Sequence, residues 1–130
     1  MILEEITIQE LKNLEPEIGI LPVGSTEQHG KHAPYKTDSL IATEIAKTAS
    51  EKTDTLLLPT VSVSISKEHS NFKGTLHVSQ NTLQDYIEDI IKSASESSIE
   101  KFIIVSGHGG NRGFIRGTCL NLYHEHNIQL

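Results

Sequence analysis

Tryptophan is absent from this 130-residue sequence and cysteine occurs once, at Cys119. A single thiol excludes any disulfide within the chain, so stability has to come from a packed core, and the expected compartment is the reducing cytoplasm. No apolar run approaches the ~20 residues that span a bilayer, so no membrane partner is expected. Met1 to Glu5 carry no basic segment ahead of an apolar one and do not read as a secretory leader. Positive charge is scarce, with 11 Lys and Arg against 17 Asp and Glu and a net charge of −6. No basic cluster faces a polyanion, which argues against nucleic acid as a partner.

The sequence does have ordinary globular content, 36% hydrophobic and 22% charged. It also has seven histidines, the side chain that titrates near neutrality and ligates metals most often. The length suits one domain, residues 1–130, able to bury about two-thirds of its unfolded surface.

Hydrophobic periodicity divides the chain into alternating helices and short strands. Thr7-Ile8-Gln9-Glu10 reads as a capping box opening a helix that ends near Asn13 or Leu14. Ile18 to Val23 is an apolar run stopped by Gly24, hence a buried strand. A helix is expected from Asp38, with Ile41, Ile45 and Ala49 at four-residue spacing and Ala42 and Ala46 beside them. Thr55 to Leu58 reads as a second strand, and the alternation of Val61 to Ile65 predicts a third, half-exposed one. Residues 66–78 read as an irregular loop. Asn81 with Gln84 predicts the start of a helix whose apolar face is Leu83, Tyr86, Ile87, Ile90, Ile91 and Ala94. A fourth strand is expected at Phe102 to Val105, and then a helix with Phe114, Ile115, Thr118 and Leu122 on one face. Asn127 to Leu130 could open a further strand. This order predicts an α/β fold with a mostly parallel sheet and helices on both faces. In such sheets sites form beyond the carboxyl ends of the strands, where the segments 27–38 and 106–111 both fall.

Those segments carry the candidate chemistry. Residues two apart in an extended chain point the same way, so Glu27 and His29 can face one point. Asp38 follows nine residues later and His108 comes from another strand end. Two carboxylates and two imidazoles suit a divalent cation such as Zn, Fe(II) or Mn, which would activate water and polarise a carbonyl for hydrolysis. Other readings stand beside this one. Asp38 can be a helix N-cap, and the glycine-rich Ser106 to Asn111 turn can cradle an anion. The same residues can also be structural.

Three motifs carry a resemblance to a known family. Leu21-Pro22-Val23-Gly24-Ser25-Thr26-Glu27-Gln28-His29-Gly30-Lys31-His32 with Thr37-Asp38, then Glu68-His69 through Phe72-Lys73-Gly74-Thr75, then Ser106-Gly107-His108-Gly109-Gly110-Asn111, resemble the ordered signatures of the creatininase family. The resemblance implies a three-layer α/β/α domain, apparently truncated, because family members run to roughly twice this length and their second half supplies a further carboxylate ligand and most of the substrate pocket. It implies two metals per site, with Glu27 and His108 on one, His29 on the other, Asp38 between them, and a metal-held water as nucleophile. It implies an amidohydrolase acting on a non-peptide C–N bond, with a homo-oligomeric state.

Creatininase itself has a glutamate where this chain has Gly110, which argues against creatinine as substrate. The Gly109-Gly110-Asn111 run and Lys31 resemble instead the archaeal deformylases that act on a ribosylaminopyrimidinone phosphate on the route to riboflavin and deazaflavin cofactors. Hydrolysis of another small cyclic amide, a non-catalytic fragment and an anion-binding α/β module remain as alternatives. The isolated chain is expected to be poorly active and prone to self-association.

Smaller expectations attach to single residues. His32, Glu68, His69 and Asn111 are candidates to orient a ligand or meet substrate. His77 reads as surface. His124 and His126 sit near a helix end that favours cations. Cys119 reads as a small core residue.

Overall fold

A computed structural model describes residues 1–130. Helix α1 (Ile8–Leu14) opens on the expected capping box: Thr7 accepts from the Glu10 amide, and Glu10 accepts from the Thr7 amide at 2.7 Å. Strand β1 (Ile18–Val23) follows, then helix α2 (Thr37–Glu51), strand β2 (Leu56–Leu57), helix α3 (Gln80–Ser95), strand β3 (Lys101–Ser106) and helix α4 (Arg112–His126).

The three strands form one parallel sheet in the order β2-β1-β3, with Gly19 opposite Leu56 and Phe102, and Val23 opposite Ser106. Alternate residues of each strand feed opposite faces. Leu21, Val23, Leu56, Leu58 and Phe102 pack with Leu83, Ile87 and Ile91 of α3 and Phe114 and Leu122 of α4. Ile20 and Leu57 turn the other way, onto Ala46 of α2. The result is the expected three-layer arrangement, helices on both faces of a parallel sheet. Fully burying a side chain such as Ile87 contributes roughly 1.5–3 kcal/mol, so most of the stability lies on the α3–α4 side.

Several expectations need correction. The buried face of α2 is Asp38, Ser39, Ala42, Ala46 and Ser50, while Ile41 and Ile45 are 48% and 55% exposed. The reason is close approach. A Cβ at Gly24 would lie 2.3 Å from Ser39 Cα, and one at Gly107 would lie 2.1 Å from the Asp38 carbonyl oxygen. Two strand ends thus grip the first turn of α2, and only small residues fit beneath it.

The N-cap of α2 is Lys36 rather than Asp38, which is the second residue of the helix. Helix α3 starts at Gln80 behind Ser79, whose hydroxyl accepts from the Thr82 amide, so the cap lies two residues before Asn81. Tyr86 is exposed, because Leu83, Ile87 and Ile91 already fill the facing layer.

Residues Val61 to Ile65 form no strand beyond a bridge between Val61 and Val23, since their remaining backbone partners lie in loops rather than beside a neighbouring strand. The Asn127 to Leu130 segment makes one parallel bridge, Gln129 to Lys101. No helix is long and apolar enough to cross a membrane.

Candidate metal centre

Beyond the end of β1 the chain stays extended, and its period of two aims Ser25, Glu27 and His29 toward one point. The grip of Gly24 and Gly107 on α2 brings Asp38 to that point from the helix side. His108 comes from the end of β3. Ligand atoms of Glu27, His29 and Asp38 lie within 4.8 Å of one another. His108 joins from the far side of Asp38: its Nδ1 is 2.9 Å from Asp38 Oδ2 and 3.3 Å from Glu27 Oε1. His29 Nε2 meets the other oxygen, Asp38 Oδ1, at 2.8 Å. Asp38 therefore turns one carboxylate oxygen to each histidine.

The tautomers follow from the carbonyls behind the rings. His29 Nδ1 lies 3.1 Å from the Glu27 carbonyl and His108 Nε2 lies 2.9 Å from the Ile65 carbonyl. A carbonyl only accepts, so those nitrogens carry the protons. In the neutral rings the other nitrogen then presents a lone pair to a carboxylate. Lone pair against carboxylate is unfavourable, so either a second ring proton or a metal cation has to stand between them. Fixing one ring nitrogen on a carbonyl so that the other is free to ligate is how metal-binding histidines are oriented.

Charge leads to the same place. Glu27 and Asp38 are 5% and 7% exposed, and no Lys or Arg pairs with either. Glu27 Oε2 is buried without any partner. Burying ionised carboxylates without compensation is costly. Burial by itself would lower the His29 pKa, but the Glu27 carbonyl and the Asp38 carboxylate outweigh it and hold the imidazole above its ordinary value of 6.5. The pocket attracts positive charge, and two carboxylates with two imidazoles fit a divalent metal.

Around this cluster the structure adds residues that the spacing did not single out. Ser25, fully buried, donates to Asp38 Oδ2 at 2.9 Å, and Ser39 donates to the Ser25 carbonyl. The signal for Ser25 was present, two residues before Glu27 in the same alternation. Asn111 is buried and donates to the Gly24 carbonyl at 3.2 Å, tying the third motif to the first without reaching the cluster.

The 3₁₀ turn at Lys67–His69 brings two of the loop candidates to the rim. Glu68 Oε1 is 3.5 Å from His108 Nε2, and His69 Nε2 is 3.7 Å from Glu27 Oε1. Gln28 approaches His69 Nδ1 at 3.3 Å. A Cβ at Gly110 would fall 2.5 Å from His108 Nε2 and 2.8 Å from Glu68 Oε1, so Glu68 occupies space that a side chain at 110 would need. His32 is exposed and makes no polar contact with the cluster, because the turn at Gly30, with φ +69, carries it outward. His77, His124 and His126 are exposed as expected, and Cys119 is half-buried, with burial pushing its thiol pKa up.

Comparisons with known proteins identify the family and the fold. The family profile described as creatininase, creatinine amidohydrolase, matches residues 4–130. A mycofactocin precursor peptide peptidase of Mycolicibacterium smegmatis is 36% identical over 111 residues, covering 81% of this chain and 44% of that protein. A 2-amino-5-formylamino-6-ribosylaminopyrimidin-4(3H)-one 5'-monophosphate deformylase of Methanococcus maripaludis is 36% identical over 109 residues, covering 83% of this chain and 48% of that protein. Among solved structures, a manganese creatininase superposes with a TM-score of 0.87 at 26% identity, covering 98% of this chain and 54% of that one. The chain thus spans about half the length of the relatives it matches.

Proposed function

The chain belongs to the creatininase family, and from that premise we propose that it carries the metal-binding half of a divalent-metal amidohydrolase that cleaves the formamide of a ribosylaminopyrimidinone phosphate. The supporting observation is the pair of histidines whose free ring nitrogens both face Asp38 while backbone carbonyls hold their other nitrogens. Glu27, Asp38 and His108 would hold one metal, and His29 with Asp38 a second. Iron(II), zinc and manganese all suit these nitrogen and oxygen donors. A bound divalent metal supplies Lewis acidity toward a carbonyl and lowers the pKa of water.

The protein's own part is to keep both histidines in one tautomer, to hold Asp38 with Ser25, and to exclude water from Glu27. Glu68 and His69, at the rim, are placed to meet the substrate. The deformylase of M. maripaludis favours a formamide substrate, and Gly110 weighs against creatinine. The peptidase of M. smegmatis supports a second reading, a peptide amide at the same centre. The fragment and anion-module alternatives predict no turnover. The exposed Ile41, Ile45 and Ile103 support a homo-oligomer.

The test is elemental analysis of purified protein, followed by hydrolysis assays on the formamide, creatinine and a short peptide with added Fe(II), Mn or Zn. Metal bound at up to two per chain with formamide turnover is expected. Creatinine or peptide turnover alone would replace the proposed substrate, and absence of metal would remove the reading.

A further inference from the structure

The two arginines of the chain stand together beside the metal cluster. Arg112 and Arg116 are the only arginines in a sequence of net charge −6. They lie four residues apart on α4 and so share one helical face, and both are exposed. Neither forms an ion pair with any of the chain's 17 acidic residues. With Ile115 and the Ser106 to Gly109 turn they line a cleft of about 360 Å³, and no carboxylate contributes to its wall. His108 belongs both to this wall and to the metal cluster, so the cleft adjoins the candidate reacting centre through that residue. Nothing lies within 4 Å of where a Cβ at Gly109 would stand, so the backbone of the turn faces open space on that side.

We propose that Arg112 and Arg116 form an anion subsite that holds the phosphate monoester of the substrate while its amide lies over the centre at Asp38 and His108. This rests on the amidohydrolase reading and deepens it by assigning the group that anchors the substrate. The chemistry is that of an oxyanion met by guanidinium forks, which match phosphate two bonds at a time. Two unpaired guanidinium groups balance the two charges of a phosphate monoester better than the single charge of a peptide carboxylate. In an acidic protein, this cleft sets two cations beside a residue of the cluster with no carboxylate in its wall.

The experiment uses the full chain stripped of metal, so that phosphate cannot bind through a metal ion. Inorganic phosphate, ribose 5-phosphate, ribose and acetate are titrated calorimetrically at low salt. Phosphate and ribose 5-phosphate should bind competitively, acetate more weakly and ribose not at all. Arg112→Ala with Arg116→Ala should weaken ribose 5-phosphate by at least about tenfold, one charged contact's worth. Arg116→Gln alone should give a smaller loss, and Arg116→Lys should recover part of it. Circular dichroism and metal uptake of each variant check the fold.

Equal affinity in folded wild type and double variant would overturn the subsite, and acetate binding as tightly as phosphate would replace the phosphate with a carboxylate. Absence of metal uptake by the wild type, with phosphate binding intact, would instead strike the amidohydrolase reading.

Discussion

Strand β1 and the extended segment after it bury two kinds of residue within one short run. Leu21 and Val23 are enclosed by α3 and α4 and complete in their apolar contacts. Ser25, Glu27 and, across the gap, Asp38 and His108 are buried as well, yet a carboxylate oxygen among them has no partner and two imidazole nitrogens face carboxylates. The first group is wholly apolar and needs no polar partner. The second is buried polar chemistry held in place by the first and left with excess negative charge that a cation would balance. Stability and binding should therefore respond to different substitutions, as expected where a site is strained relative to its scaffold.

The largest expected effect is on the apolar side. Ile87→Ala, at a fully buried position of α3, should cost roughly 2–5 kcal/mol of unfolding free energy. Urea denaturation measures it, and metal bound per folded molecule should not change. A loss below 1 kcal/mol would mean that this layer is less tightly packed than the structure shows.

On the polar side, His108→Ala should weaken metal binding by more than about 100-fold, beyond the range seen for outer partners of a ligand. Chelator competition reads the affinity. Denaturation of the metal-free variant should differ from wild type by no more than about 1 kcal/mol, the ordinary size of a single substitution. Equal metal content in both proteins would remove His108 from the site.

Acid should separate the two regions without any substitution. The His29 pKa is raised above 6.5 in the folded metal-free protein, the opposing effect of burial being outweighed by the Glu27 carbonyl and Asp38. Its contribution to metal-free stability is thus fully present below 6.5 and lost as pH rises through the raised value. Metal binding has the opposite sign, because ligation requires the neutral ring. Affinity should fall as pH drops through the raised His29 value, about tenfold per pH unit in acid for each proton displaced. Metal affinity measured from pH 5 to 8 and found constant would contradict His29 as a ligand.

The smallest effect tests the boundary between the regions. Ser25→Ala removes the hydroxyl that holds Asp38 and should reduce metal affinity by roughly tenfold, at the low end for such partners. It should destabilise the metal-free protein by about 1 kcal/mol, the net value of one hydrogen bond. An effect on stability alone would place Ser25 with the scaffold.

Much of this arrangement is determined by sequence alone. The capping box at Thr7 to Glu10, the apolar run of β1, the helical period of α3 and the alternation through Glu27 and His29 depend on neighbours a few residues away, and the backbone's periods of 2 and 3.6 make them readable. What depends on distant neighbours was decided only in three dimensions. The spacing of Ile41 and Ile45 suggested a buried stripe on α2, but Gly24 and Gly107 admit the helix so closely that its small residues and Asp38 face the sheet instead. The same approach makes Asp38 part of the cluster rather than a cap. The 3₁₀ turn delivers Glu68 and His69 to the rim, while the turn at Gly30 carries His32 away. The unpartnered oxygen of Glu27 and the proton positions on both imidazoles come from atoms brought together across the sheet end, with His108 70 residues from Asp38 along the chain. Local patterns fix which way a side chain points along its own element. Which elements approach, and how near, depends on the volumes they must share when packed.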